Sequence, residues 1–164
     1  AGMSAKLNSM RWLEQSKIPY EALEYPESVH DAVEVAEVLG VPYFQIYKTL
    51  VVQAEGVDKP LLVMVASDRK LDLKKVAAAS GHKKVRMAKH ADAEKLTGLK
   101  VGGISALALR DKNWPVYLDA PALELEHIIV SGGQRGTQLR VGVTPLVNLL
   151  RVRVADVGTD DDGE

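Results

Sequence analysis

The chain has 164 residues, of which 46% are hydrophobic and 26% charged, the balance of one globular domain with its own core. It contains no cysteine, which excludes a disulfide framework, a thiolate nucleophile and a cysteine-based zinc site. No apolar run is long enough to cross a bilayer and no secretory signal pattern is present, so the sequence reads as that of a soluble, cytoplasmic protein.

The formal net charge of −1 conceals an uneven distribution. Asp156, Asp160, Asp161, Asp162 and Glu164 crowd one end, and without these five acids the formal charge would be +4. Between Asp68 and Lys100, ten Lys and Arg face four Asp and Glu. A basic stretch of this kind suits a polyanion such as an RNA backbone, or is a solvated face. Lys74, Lys75, Lys83 and Lys84 are its candidate RNA contacts. Residues 158–164 read as an acidic disordered tail and residues 1–2 as an expression scar, leaving 3–157 as the domain.

In chain order, Leu7, Met10, Trp12 and Leu13 fall near helical spacing and predict a helix over 5–16, closed by Ile18-Pro19. Residues 20–25 predict a short strand stopped by Pro26. Asp31 caps a helix through Leu39, ended by Gly40 and Pro42. Two strands follow, 47–54 and 61–66, joined by a hairpin loop. Asp72 caps a helix through Ser80, with Gly81 beyond its end. A strand is expected over 83–87 and a helix over 91–96, ending at Thr97-Gly98. Further strands are expected over 115–118, 127–130 and 138–141, then a last helix over 146–150 introduced by Thr144-Pro145. Strands and helices do not alternate regularly, which points to an α+β domain on a mixed, curved, barrel-like sheet with flanking helices.

Candidate chemistry is sparse. Lys48, at the entrance of the apolar run Thr49-Leu50-Val51-Val52, is a cation fixed beside a sheet, able to hold a phosphate or carboxylate. Two glycine-rich segments, Gly102-Gly103-Ile104-Ser105 and Ser131-Gly132-Gly133-Gln134-Arg135-Gly136, allow backbone amides to approach a ligand or form tight turns. Neither matches a P-loop or a dinucleotide fingerprint. No Gly-x-Ser-x-Gly elbow occurs. The histidines at 30, 82, 90 and 127 show no metal-ligand spacing, and His82 and His90 read as surface residues. Asp119 is the best-placed carboxylate, with a cap or turn before Pro121 as its simpler role. Neither metal nor cofactor is expected; an enzyme built from these parts would use backbone donors, a fixed Lys and its substrate's own groups.

Seven segments together carry a specific resemblance: Gln45-Ile46-Tyr47-Lys48-Thr49-Leu50, Leu71-Asp72-Leu73-Lys74-Lys75-Val76-Ala77, Lys83-Lys84-Val85, Thr97-Gly98, Val101-Gly102-Gly103-Ile104-Ser105, Leu118-Asp119-Ala120-Pro121 and Val130-Ser131-Gly132-Gly133-Gln134-Arg135-Gly136. In this order they resemble the YbaK/ProX (YbaK/EbsC) family of free-standing aminoacyl-tRNA deacylases, related to the editing domain of bacterial prolyl-tRNA synthetase, over roughly residues 7–156. The resemblance is strongest to the branch that hydrolyses cysteine mischarged on tRNA(Pro).

The resemblance implies a pocket for the aminoacylated 3′ end of a tRNA. In it Lys48 places the acceptor end, with Thr49 beside it. Gly102, Gly103, Ile104 and Ser105 face the ester, and Ser131, Gly132 and Gly133 form a second loop at the pocket. Tyr25 corresponds to an aromatic position in the pocket region, and His30 is a candidate neighbour. The implied catalyst is substrate-assisted, with the cysteinyl thiol attacking its own ester. Aminoacyl-tRNA is the implied partner, and prolyl-tRNA synthetase a candidate second one. One departure stands out: the family loop usually runs Gly-Gly-Ile-Ser-Pro, and position 106 here is Ala, which does not restrict φ as proline does. A deacylase for alanyl-, seryl- or threonyl-tRNA, and a non-catalytic tRNA- or synthetase-binding module, are the other readings the sequence allows.

Overall fold

The computed structural model describes residues 6–160; residues 1–2, the start of the first predicted helix and residues 161–164 lie outside them. The elements are α1 (Asn8–Gln15), β1 (Tyr20–Glu24), α2 (Ala32–Leu39), β2 (Tyr47–Ala54), β3 (Leu61–Ala66), β4 (Arg69–Leu71), α3 (Leu73–Ser80), β5 (Val85–Met87), α4 (His90–Thr97), β6 (Val116–Asp119), β7 (His127–Ser131), β8 (Thr137–Gly142), α5 (Val143–Leu150), β9 (Arg153–Ala155) and β10 (Gly158–Asp160).

The β2–β3 hairpin is the spine. β3 is buried at every position, which is why it reads as an unbroken apolar run rather than an alternating one. It pairs antiparallel with β2 and parallel with β6, giving a five-stranded mixed sheet in the order β5-β2-β3-β6-β9. A second, antiparallel sheet has the order β1-β8-β7. One parallel bridge, Ile46 to Ile129, ties the two together. The architecture is the expected α+β domain on curved mixed sheets, and the strands do not close into a continuous barrel.

Local signals set the helix ends. Asp31 accepts from the Glu34 amide at 3.4 Å, and Asp72 from those of Lys74 and Lys75 at 3.0 and 3.2 Å, satisfying donors that a helix start leaves unpaired. Gly40, Gly81 and Gly98 end α2, α3 and α4 in the left-handed conformation, the role of glycine just past a helix. The last helix begins earlier than Thr144-Pro145 suggests: α5 opens at Val143, with Pro145 in its first turn, where a missing amide costs nothing.

Three short strands, β4, β9 and β10, have no counterpart in the sequence pattern. Gly158–Asp160 belong to β10 and not to a disordered tail; they pair antiparallel with Arg69–Leu71. Asp119 explains why. Its fully buried carboxylate accepts from the amides of Val157 and Gly158, each at 3.1 Å, and from Arg69 Nε at 3.2 Å. Arg69 also reaches Asp160 at 2.8 Å. A buried carboxylate needs partners of this kind to offset its lost hydration. Asp119 is therefore a brace between β6 and the C-terminal strand, closer to the cap-like role than to a catalytic one.

Candidate active site

A cleft of about 590 Å³ opens where the two sheets meet. β2 brings Tyr47, Lys48, Thr49 and Leu50 to it, the start of α2 brings His30 and Asp31, and α4 brings His90 and Glu94. The remaining wall comes from Val101, Gly102 and Ile104 on one loop, from Arg135 on another, and from Ser131 of β7 and Gln138 of β8, which flank that second loop. Ile46 and Val35 belong to one apolar cluster, Tyr47 and Ile104 to another, so the cleft lies on the seam between two cores.

Lys48 is half-buried, and its Nζ donates to the Ser67 carbonyl at 3.3 Å. Ser67, itself buried, donates from Oγ to the Tyr43 carbonyl at 2.6 Å. The ammonium is thus laid against the end of the hairpin rather than waving in solvent. The Tyr47 phenol, one residue earlier on β2, is pushed up to about 12, first by burial and then by the nearby Asp119 carboxylate. At neutral pH it is a neutral hydroxyl.

Close approach explains both glycines of the first loop. Gly102 has φ +91°, and a Cβ there would sit 2.5 Å from His30 Cβ; one on Gly103 would meet the backbone of Gln134 and Arg135 at 2.8 Å. Three chain segments therefore touch at positions where no side chain fits. Val101 is held from both sides, its amide donating to Glu94 Oε2 and its carbonyl accepting from Arg135 Nε, both at 2.8 Å.

Hydrogen bonding distinguishes the loop amides. Gly103 N–H is bonded to the Lys100 carbonyl at 2.8 Å, Gly132 N–H to the Thr137 carbonyl at 3.0 Å and Gly133 N–H to Ser131 Oγ at 3.2 Å. Those of Gly102 and Ile104 have no partner among the described residues, and both residues border the cleft. Gly103, Ser105, Gly132 and Gly133 lie behind the wall. Ser105 Oγ accepts from the Ala108 amide at 3.1 Å, and Ser9 donates to the Gly132 carbonyl at 2.5 Å. Ala106 is buried and borders a separate cavity beside Trp12 and Trp114, so exchange of proline for alanine there acts on the loop and does not reshape the cleft wall directly.

Tyr25 is buried behind the cleft, its hydroxyl accepting from Gln138 Nε2 at 3.1 Å. Of the four lysines read as RNA contacts, none borders the cleft. Lys74, Lys83 and Lys84 are exposed, while Lys75 donates to Asp156 at 3.1 Å and to the Gly158 carbonyl at 3.0 Å. Sequence reasoning missed His90, Glu94, Arg135 and Gln138. His90 and Glu94 share one face of α4, which only the folded chain sets against the cleft. Gln138 carried a faint signal as a polar residue within the otherwise strand-like run Thr137-Gln138-Leu139. Among the described residues, no group of three or more His, Asp or Glu could hold a metal ion, and no helix is long and apolar enough to cross a membrane.

The cleft thus gathers a half-buried lysine and two residues whose backbone amides have no partner among the described residues. The family model described as the aminoacyl-tRNA editing domain matches residues 26–149, and the chain belongs to that family, as a hydrolase of the ester between amino acid and tRNA. The Enterococcus faecalis protein named "Putative Cys-tRNA(Pro)/Cys-tRNA(Cys) deacylase EbsC" is 37% identical over 158 residues, covering 95% of each chain. Among solved structures, hypothetical protein APE2540 matches with a TM-score of 0.85 at 26% identity, over 93% of this chain and 99% of that one. A structure titled as a "putative trans-editing enzyme for prolyl tRNA synthetase" matches with a TM-score of 0.79 at 27% identity, over 96% and 99%.

Proposed function

We propose that this enzyme edits in trans, releasing cysteine mischarged on tRNA(Pro), with the substrate's own thiol as nucleophile. The observation that carries the reading is the make-up of the cleft. Its hydroxyls at Thr49 and Ser131 are hydrogen-bonded to no His, Asp or Glu among the described residues, whereas a cation and free backbone donors are in place. The identity to EbsC over nearly the whole chain supports the choice of cysteine.

In this reading Lys48 holds the phosphate or ribose of the terminal adenosine. The cysteinyl sulfur attacks its own ester carbonyl, and the Gly102 and Ile104 amides receive the developing oxyanion, each worth about 3–4 kcal/mol in comparable sites. The carbon–oxygen bond to ribose breaks, the thiol proton goes to the ribose oxygen, and water opens the resulting thiolactone to free cysteine. Ser131 shapes its loop by accepting from Gly133. Thiol chemistry supplies a selectivity that a pocket cannot, since small side chains differ by only about 1–3 kcal/mol per methylene in binding. The enzyme would act in the cytoplasm on newly charged tRNA, alongside prolyl-tRNA synthetase.

The test is hydrolysis of Cys-, Ser- and Ala-tRNA(Pro) by the wild type and by Lys48→Ala. Cleavage of the cysteinyl ester alone, lost in the variant with its fold unchanged, is expected. Cleavage of seryl or alanyl esters instead would overturn the thiol mechanism. Binding of tRNA without turnover of any ester would make the chain a binding module.

A further inference from the structure

Two residues of the cleft wall each carry a buried polar atom with no partner among the described residues: Thr49 Oγ1 and Gln138 Oε1. Thr49 is 8% exposed and Gln138 is 6% exposed, and both border the cleft. Buried polar groups are nearly always hydrogen-bonded, so an orphan at a binding site marks a contact that a ligand completes. The two come from different sheets, β2 and β8, so the fold as a whole sets them around one space.

Gln138 is held from behind. Its Nε2 donates to the Tyr25 hydroxyl at 3.1 Å, and Oε1 is the end without a partner. Oε1 is an acceptor only, and the Thr49 hydroxyl can accept as well as donate. Two acceptors around one cleft suit a group with several donors. A thiol is a weak donor and an ester carbonyl has none, whereas an ammonium offers three.

We propose that Gln138 Oε1 and Thr49 Oγ1 receive the α-ammonium of the aminoacyl ester, making Gln138 a substrate-binding residue and Tyr25 the positioning residue behind it. This rests on the deacylase reading above. Holding the ammonium fixes the Cα and hence the face of the ester carbonyl presented to the Gly102 and Ile104 amides. It also separates an aminoacyl end from any other acyl ester on RNA. A site built around a group common to all amino acids leaves the choice among them to the side chain.

The experiment compares cysteinyl-tRNA(Pro) with its deamino analogue, the 3-mercaptopropionyl ester on the same tRNA, which keeps the thiol and lacks the ammonium. Each enzymatic rate is divided by the spontaneous hydrolysis rate of that ester, which removes the intrinsic effect of the ammonium on reactivity. The wild type should lose about ten- to a hundredfold in kcat/KM on the deamino ester, the usual worth of hydrogen bonds to a charged group. Gln138→Leu should lose a similar factor on the cysteinyl ester and no longer distinguish the two. Gln138→Glu should keep or improve activity on the cysteinyl ester, because a carboxylate is a better acceptor for an ammonium and the Tyr25 hydroxyl can turn its own proton toward it. Thr49→Val gives a second, smaller probe should Gln138→Leu fail to fold.

Equal normalised rates on the two esters in the wild type would overturn the proposal while leaving the deacylase intact. So would a Gln138→Glu loss as large as that of Gln138→Leu, since the amide would then be acting as a donor. If the wild type cleaves neither ester but cleaves another aminoacyl-tRNA, the same comparison made with that amino acid's deamino ester decides the proposal. If it cleaves no aminoacyl ester at all, both readings fall.

Discussion

Ile46 and Ile129 form a single parallel bridge between the two larger sheets, and each lies two residues before a residue of the cleft, Lys48 and Ser131. The strands leave that joint in the same direction, so a cation from one sheet and a loop from the other arrive at one place. The seam between the cores is thus also where the walls of the cleft meet.

The hold on Val101 should matter for rate more than for stability. Arg135→Met removes the donor to the Val101 carbonyl while keeping much of the aliphatic stem. We expect kcat to fall by up to about a hundredfold through misplacement of the Gly102 and Ile104 amides, with little change in KM or thermal midpoint. Steady-state kinetics beside a thermal melt would check this, and an unchanged kcat would refute it.

Gly102→Ala should be worse than its small size suggests. The position combines φ +91° with a Cβ approach of 2.5 Å to His30 Cβ, so backbone strain of about 1–3 kcal/mol adds to a clash that only loop movement relieves. Near-complete loss of deacylation with a folded protein by circular dichroism is the expected outcome. Wild-type turnover would show that the loop is more adaptable than its packing implies.

For the basic stretch, the structure divides four lysines into two kinds. Lys74, Lys83 and Lys84 are exposed, whereas Lys75 is tied to Asp156 and to the Gly158 carbonyl. Replacing the first three by Gln should lower the slope of log K for tRNA against log salt by about 0.7–0.9 for each phosphate no longer neutralised. Lys75→Gln should leave the slope unchanged and instead loosen the C-terminal strand. Binding titrations at several salt concentrations separate these outcomes, and an unaltered slope in the triple variant would make the patch an ordinary solvated face.

Tyr47 predicts an alkaline weakness. Its phenol titrates at about 12 in the folded chain against about 10 for a free tyrosine. Between these values the unfolded chain has lost a proton that the folded chain still holds, so stability falls as pH rises from about 10 toward 12. The loss attributable to this residue is on the order of 2 kcal/mol. Denaturant unfolding at pH 8 to 11.5 should show a shallower decline for Tyr47→Phe than for the wild type, and parallel declines would contradict the assignment.

What could be read without the fold follows the range of each interaction. Gly40, Gly81 and Gly98 are local stops, and the β2 and β3 runs carry their burial in their own composition, so these were legible. β4, β9 and β10 were not, because Arg69-Lys70-Leu71 and Gly158-Thr159-Asp160 have no apolar pattern and owe their place to Asp119, far off in sequence. The site divides in the same way. Lys48, Gly102, Ile104 and Ser131 border the cleft and stand in motifs whose order survives in one dimension, whereas Gly103, Ser105, Gly132 and Gly133 of the same motifs do not border it. His90, Glu94, Arg135 and Gln138 reach the cleft only when α4 and β8 are set against it. Lys75 looked like an RNA contact because its real partners lie more than eighty residues away.

The Asp119 brace also sets a practical limit on how far the chain can be trimmed. An acidic, glycine-containing stretch invites deletion when a tag is added or a shorter protein is wanted. A cut before Val157 would remove both amides that hold the Asp119 carboxylate and the strand that covers Arg69, leaving a charge in the interior with two of its three partners gone. The residues that look most dispensable in the sequence are the ones that close the fold.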